Sequence, residues 1–174
     1  MLRSVLSLFA GILLLLAACN PVHNWREVRL PNAGLKLLMP CKPDQASRTM
    51  PLAGQSVEMQ MAGCEAGPAL YAISHVALAD ASKTALALTQ WKAAMLSNMR
   101  AQGSTPTSKF TLQGASAQPP AIRLAAQGNR QDGSAVAAQA IWFARDAHLY
   151  HAVVYAKELS QDEGDTFFSG IEFQ

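Results

Sequence analysis

The sequence has little imbalance of charge. Its 14 Lys and Arg residues are nearly matched by 12 Asp and Glu residues, which gives a formal net charge of +2 over 174 residues. A near-neutral chain has no electrostatic basis for binding nucleic acid. A Gly-rich phosphate loop and a GxSxG nucleophile motif are both absent from the sequence. We therefore expect no cofactor, no nucleic-acid partner and no enzymatic activity.

Metal-ligating patterns are also scarce. His148 and His151 are three residues apart, which places them on opposite faces of a strand, so they cannot bind one ion together. His75 stands alone in an apolar stretch. The acidic segment 162–165 lacks the ligand spacing of a calcium loop and is better suited to a helix N-terminus. The sequence thus predicts no metal site and favours hydrogen-bonded or surface histidines.

Long hydrophobic runs are limited to the start of the chain. Residues 5–18 are apolar except for Ser7 and Gly11, and Arg3 is the only charge before Arg26. A helix of about 14 residues rises about 21 Å, which is too short to cross a bilayer well. A basic start followed by a short apolar centre and small residues is typical of a secretory signal peptide. No second run of this kind follows, so the rest of the chain predicts no transmembrane helix.

The end of this run, "LAAC" at residues 16–19, resembles the lipobox of bacterial lipoproteins. The resemblance implies that Cys19 is lipidated, that residues 1–18 are removed, and that acyl chains such as palmitate anchor the protein to a membrane. Because Asn20 rather than Asp follows the cysteine, it also implies the periplasmic face of the outer membrane. An ordinary signal peptide with a chance cysteine, or an uncleaved anchor, is the alternative. Residues 19–24 would then be a lipidated tether to a single domain at residues 25–174.

The two remaining cysteines are Cys41 and Cys64. An even pair in an exported protein predicts a disulfide, here between two strand ends. Their spacing is not CxxC, which argues against a thioredoxin-type redox motif. A zinc site would require two further ligands, and His75 is the only histidine at moderate sequence distance.

Alternating apolar and polar residues predict a chain rich in strands. The first two strands form a hairpin around Asn32 and Gly34, and the Asp132-Gly133 pair predicts a second hairpin turn. The last two strands are apolar on both faces and should be central. Beyond the first hairpin, the predicted strands cover residues 56–64, 69–78, 108–114, 121–128, 135–144 and 148–156.

Two segments change to a helical period. Residues 81–101 carry a stripe of Leu88, Trp91, Met95 and Met99, which is typical of a helix packed on a core. A short C-terminal helix should open with a capping box and bury two phenylalanines and an isoleucine. The capping box would consist of Ser160 and Glu163. The buried residues would be Phe167, Phe168 and Ile171.

The order of elements predicts an α+β domain: a mostly antiparallel sheet of about seven or eight strands with two helices packed on it. An opening Trp25, the "MPCKP" turn, a mid-chain helix with Trp91 and the closing "FFSGIEF" are similar to small exported proteins with the PsbP-like fold, including DcrB-type lipoproteins. That family contains binding and assembly factors rather than enzymes, and it has no catalytic residues to carry across.

Two hypotheses for function follow. The first is a membrane-anchored periplasmic protein with a non-catalytic binding or envelope-assembly role, acting on a protein partner through loops at residues 40–54 and 105–120. The alternative is a carrier of small apolar ligands, or an enzyme, with a pocket between helix 81–101 and the sheet. Trp91, Met95 and Met99 would line that pocket, because flexible methionines suit apolar ligands.

Overall fold

The structure is a computed structural model that describes residues 22–30, 32–103, 105, 107–160 and 162–174. Ten strands and two α-helices follow one another along this part of the chain. The strands are β1 (Arg26–Leu30), β2 (Leu35–Met39), β3 (Asp44–Leu52), β4 (Gln55–Ala66), β5 (Ala69–Ala77), β6 (Thr107–Lys109), β7 (Ile122–Asn129), β8 (Ala135–Arg145), β9 (His148–Ala156) and β10 (Glu172–Phe173). The helices are α1 (Thr84–Asn98) and α2 (Asp165–Ser169).

The strands form two antiparallel sheets. Seven strands pair in the order β3-β4-β5-β9-β8-β7-β6, and three pair in the order β1-β2-β10. The predicted α+β class is confirmed, with the strands divided between two sheets. β9 lies at the centre of the larger sheet with β8 beside it, as their apolar sequences predict, since a strand covered on both faces carries few polar residues.

The two predicted hairpin turns are confirmed. Between β1 and β2, Asn32 and Gly34 adopt φ values of 60° and 57°, the left-handed conformation that these residue types tolerate best. Between β7 and β8, Gly133 has φ 85°. The Asp132 carboxylate there accepts a hydrogen bond of 2.9 Å from the Ser134 N–H.

The interpretation of residues 40–54 as a long loop is wrong. Residues 44–52 form β3, an edge strand paired along its whole length with β4. All but two of its nine residues are exposed, so no apolar alternation marks it in the sequence. The other predicted loop, 105–120, contains the short strand β6 at Thr107–Lys109. The strand predicted in this region covered residues 108–114, so the observed strand begins one residue earlier and ends five residues earlier.

The predicted helix 81–101 is present with different ends. A 3-10 turn at Ala81–Lys83 precedes α1, and the Asp80 carboxylate caps it by accepting a 2.9 Å hydrogen bond from the Ser82 N–H. The chain leaves the helix after Asn98, and Arg100 has φ 45°. The predicted stripe is confirmed as core, because its four residues, Leu88, Trp91, Met95 and Met99, are all buried.

The buried residues of the second helix were predicted correctly, but the residue at which it begins was not. Phe167, Phe168 and Ile171 are buried, as expected. The capping box is wrong, because α2 begins at Asp165 and its N-cap is Gly164, with no side-chain cap. Ser160 does contact Glu163 through a 3.4 Å hydrogen bond, but this pair lies before the helix. No described helix is long and apolar enough to cross a membrane.

Each face of the seven-stranded sheet packs on a core of its own. On the closed face, the three-stranded sheet and α2 pack against aromatic side chains, and the buried Tyr150 hydroxyl donates a 2.6 Å hydrogen bond to the Ala33 carbonyl. A disulfide joins Cys41 to Cys64 at the edge of this core, with a Cα–Cα distance of 6.0 Å. Cys64 lies within β4 rather than past its end. On the helical face, the sheet packs against α1.

Candidate functional site

A pocket opens between α1 and the sheet, at the place named in the alternative hypothesis. Its volume is about 440 Å³, which is within the range of small-molecule sites. Trp91, Met95 and Met99 of α1 all line it. We call it the methionine pocket. The other lining residues are Arg48, Met50, Met59, Met61, Leu70, Ala72, Ser74, Ala94, Asn98, Arg130, Val136, His151, Val153 and Tyr155.

The floor of the methionine pocket is set by strand register. Met61 of β4 is paired with Ser74 of β5, and Ser74 is paired with His151 of β9. Residues directly opposite each other in an antiparallel sheet project from the same face. The register therefore brings three residues that are distant in sequence into one row beneath α1.

Methionine is the most frequent residue type in the pocket wall. Three methionines come from the strands, Met50, Met59 and Met61, and two from α1, Met95 and Met99. The thioether side chain is unbranched and polarisable, so it adapts its shape to different apolar ligands. Such a wall suits an aliphatic ligand better than a rigid polar one.

His151 is one of two buried polar residues in the pocket floor, the other being Ser74. Its ring stacks on Trp142 at a centroid distance of 4.5 Å and meets Trp91 edge-on at 5.6 Å. Only 6% of the residue is exposed, and its Nε2 atom has no hydrogen-bond partner. Burial lowers the pKa of His151 to about 3, so the ring is neutral at physiological pH. A buried polar atom without a partner is costly, and Nε2 has less than 1 Å² of accessible surface, so it is enclosed by neighbouring side chains rather than open to the pocket.

Two arginines line the methionine pocket, and no acidic residue lines it within the described part of the chain. Arg48 lies on the edge strand β3 and Arg130 in the turn between β7 and β8. Both are exposed. Hydrogen bonds from Ser134 hold the pKa of Asp132 below its usual range, and the positive charge of Arg130 lowers it further, so Arg130 already has an acidic neighbour. Arg48 is therefore the better placed cation for an anionic ligand.

The polar pair Ser74 and His151 does not form an activated nucleophile. In the part of the chain that the structure describes, no hydrogen bond joins the two side chains, and no carboxylate lines the pocket to orient the ring. A histidine with a pKa of about 3 is also a weak base for removing a proton from serine.

A larger pocket, of about 840 Å³, lies between residues 110–114 and the C-terminal segment. Its charged groups are already engaged. Arg123 forms a 2.6 Å ion pair with Asp165, and Arg145 lies 5.1 Å from the centre of the Phe173 ring. Glu172, the remaining charged side chain of the described lining, pairs with Lys36 at 2.8 Å. Because the charged groups of this larger pocket already have partners within the fold, we regard the methionine pocket as the better candidate.

The structure also pairs two histidines that sequence reasoning treated separately. His75 Nε2 lies 2.9 Å from His148 Nδ1, and the rings stack on the closed face of the sheet. Burial, and then the charge of His148, lowers the pKa of His75 to about 4. Only the pairing of β5 with β9 reveals this contact, since the two residues are 73 positions apart. Within the described ranges, no cluster of three metal-ligating side chains occurs.

The predicted lipidation residue, Cys19, lies outside the described residues, as do the signal peptide and the first residues of the tether. The predicted disulfide partners, Cys41 and Cys64, lie at the edge of the closed core, away from the methionine pocket.

Comparison with known proteins identifies no family. No protein-family model matches the chain, and no curated protein matches it. Among solved structures, the chain is similar to PA94 from Pseudomonas aeruginosa, a protein of unknown function. The two share 17% identity over 82% of this chain and 87% of the other, with a TM-score of 0.38. A similarity this weak carries no argument about function.

Proposed function

We propose that this protein is a lipid-anchored protein of the bacterial cell envelope that binds a small apolar ligand without catalysing a reaction. The methionine pocket is the observation that carries the binding role. It combines an adaptable apolar wall of five methionines with two exposed arginines, Arg48 and Arg130, at its edge. The non-catalytic role agrees with what the resemblance to PsbP-like exported proteins implies.

The proposed location rests on the "LAAC" segment and on Asn20, which together favour the periplasmic face of the outer membrane. One acyl chain gives marginal membrane binding, whereas several give stable anchoring. The Cys19→Ala variant should incorporate no labelled palmitate. It should also no longer fractionate with the membrane. Unchanged labelling in the Cys19→Ala variant would rule out lipidation at this residue.

Binding can be tested with methyl-¹³C-labelled methionine and NMR on the full chain in lipid nanodiscs. We expect decanol to shift the signals of the five pocket methionines. Met39 provides an internal control, because it is fully buried in the closed core on the other side of the sheet. Equal shifts at Met39 and at the pocket methionines, or no shifts at all, would contradict the proposal.

A matched pair of variants sharpens this experiment. Ala93 and Ala94 are exposed neighbours on α1, but only Ala94 lines the methionine pocket. Ala94→Trp should therefore block the shifts caused by decanol, whereas Ala93→Trp should leave them intact. Loss of the shifts in both variants would indicate a general disturbance of α1 instead.

A further inference from the structure

The predicted tether is fixed to the domain from Val22 onward. The Asn24 N–H donates a 2.7 Å hydrogen bond to the Pro40 carbonyl, just past the end of β2. A side chain at Gly67, in the turn between β4 and β5, would come within 2.9 Å of the Val22 Cγ1 atom. Val22 therefore packs directly on this turn, and only residues 19–21 of the predicted tether lie outside the described part of the chain.

The length of chain before Val22 limits the distance of this residue from a lipid anchor. This step rests on the proposed function, because it takes Cys19 as the lipidated residue. An extended chain spans at most about 3.6 Å per residue, so the path from Cys19 to Val22 spans at most about 11 Å. By comparison, β4 is 12 residues long and extends about 40 Å. The anchor therefore holds one end of the sheet close to the membrane, the end at which β4 turns into β5.

The turn that contacts Val22 is apolar. Residues 66–70 read AGPAL and include no polar side chain. Val22 is 62% exposed and Leu70 is 37% exposed, so both belong to the four large hydrophobic residues that are exposed in the described part of the chain. Exposed turns are usually polar, as is the RQDGS turn at residues 130–134, which lies at the same end of the sheet. An exposed apolar turn beside an anchor is suited to contact with lipid.

A nearly balanced set of charges surrounds this turn. At this end, the turns and strand ends of the larger sheet carry three basic and four acidic residues, namely Lys42, Arg130, Lys157, Asp44, Glu65, Asp132 and Glu158. Anionic lipid surfaces attract clusters of Lys and Arg, and the acidic neighbours prevent such a cluster here. A contact with the membrane at this end must therefore come from the tether and the apolar turn.

We propose that Val22 and the turn at residues 66–70 form a surface that rests on the lipid bilayer. We call this surface the tether end. The exposed side chains of Val22 and Leu70 meet the lipid, while the opposite end of the sheet, at residues 53–54 and 146–147, faces away from it. Leu70 also lines the methionine pocket, so one edge of that pocket lies at the membrane.

The test places a fluorescent label at either end of the sheet, in the full lipidated chain in phosphatidylcholine nanodiscs. Pro68→Cys carries bimane at the tether end, and Ala79→Cys carries it at the opposite end, just past β5; both residues are exposed. The added cysteine is the free thiol, because Cys41 and Cys64 form a disulfide and Cys19 carries lipid. Lipids with a nitroxide on the upper acyl chain should quench the label at residue 68 and leave the label at residue 79 bright. Equal quenching at the two positions, or stronger quenching at residue 79, would overturn the proposal.

Two exposed leucines supply a matched pair of variants. Leu70→Asp adds a charge to the tether end and should reduce the quenching at residue 68, because a carboxylate resists transfer into lipid. Leu86 is also exposed, but it lies near the start of α1, where the Thr84 hydroxyl donates a hydrogen bond to the Asp146 carbonyl at the opposite end of the sheet. Leu86→Asp should leave the quenching at residue 68 unchanged. Equal effects of the two variants, or no effect of either, would mean that the apolar turn does not form the contact.

Two further outcomes separate this proposal from the proposed function. If the unmodified chain incorporates no labelled palmitate, the anchoring itself is wrong. If the chain is acylated and the label at residue 68 is protected from iodide in the water but is not quenched by the nitroxide lipids, then protein, such as a second copy of this chain, covers the turn. In that case the membrane contact is wrong while the anchoring stands.

Discussion

The two faces of the seven-stranded sheet are covered in different ways. The closed face packs on rigid side chains that fill the space between two sheets, including Tyr71, Phe143, Tyr150 and Phe167. The helical face packs on α1 through flexible methionines and retains a pocket of about 440 Å³. A core of aromatic side chains gains stability from close packing, whereas a surface lined by methionines adapts to groups of different shape.

The histidines of the two faces show the same contrast. His75, on the closed face, has a hydrogen-bonded partner in His148. His151, on the helical face, stacks on Trp142 and meets Trp91 edge-on, but its Nε2 has no hydrogen-bond partner among the described residues.

Among the described residues, buried polar atoms without a partner occur on both faces, since Gln60 Oε1 lies on the closed face and Trp142 Nε1 lies beside His151 on the helical face. The two faces therefore differ in the type of side chain that covers them rather than in whether every polar atom has a partner.

The largest expected effect compares one truncation on each face. Phe167→Ala should lower the free energy of unfolding by about 3–5 kcal/mol, because it leaves a cavity in a filled core. Met95→Ala should cost less than about 2 kcal/mol, because its side chain already borders an open pocket and its loss creates no closed cavity. Urea denaturation of both variants measures the two values. Equal costs would mean that the helical face is packed as tightly as the closed one.

The second prediction concerns the disulfide, which belongs to the closed face. Replacing both Cys41 and Cys64 by serine should lower the free energy of unfolding by about 3 kcal/mol, since the bond closes a loop with a sequence separation of 23. Decanol binding should persist under conditions where the variant is folded, because the bond is remote from the methionine pocket. Loss of binding by a folded variant would contradict the independence of the two faces.

The third prediction concerns pH. Burial lowers the pKa of His151 to about 3, and burial with the charge of His148 lowers that of His75 to about 4, both from 6.5. Between these values and 6.5 the unfolded chain binds more protons than the folded one, so stability falls as the pH falls. The melting temperature should be level above about pH 6.5 and decline below it.

Two single variants assign the pH effect to the faces. His151→Phe and His75→Phe should each make the decline below pH 6.5 shallower, because each removes one group that charges only on unfolding. If neither variant changes how steeply the melting temperature falls between pH 6.5 and pH 4, the loss of stability in acid has another origin.

The sequence predicted α1 well, because one side of it is buried and its apolar residues recur at helical spacing. The same stripe was interpreted first as core packing, and Trp91, Met95 and Met99 entered as pocket residues only in the alternative hypothesis. The strand half of the pocket could not be predicted in this way. Ser74 and His151 meet only through the register of β5 with β9, and register over such a separation leaves no local pattern.

The missed strands have physical reasons of their own. β3 is an exposed edge strand, so polar residues occupy both of its faces and hide the period of two. β10 has two residues, Glu172 and Phe173, which is too short for any period. β3 supplies Arg48 and Met50 to the pocket. Because the sequence did not predict this strand, it did not predict these two lining residues either.

The smallest expected effect compares the two histidines directly, at pH 7 and without ligand. His151→Phe should raise the free energy of unfolding by up to about 1 kcal/mol, because an aromatic ring of similar shape removes a buried polar atom that has no partner. His75→Phe should lower it by about 1 kcal/mol, because it takes the hydrogen bond away from His148. Opposite signs in urea denaturation would show that His151 lowers the stability of the fold whereas His75 raises it. If His151→Phe destabilises the protein as much as His75→Phe does, then His151 is an ordinary core residue and the contrast between the two faces does not extend to function.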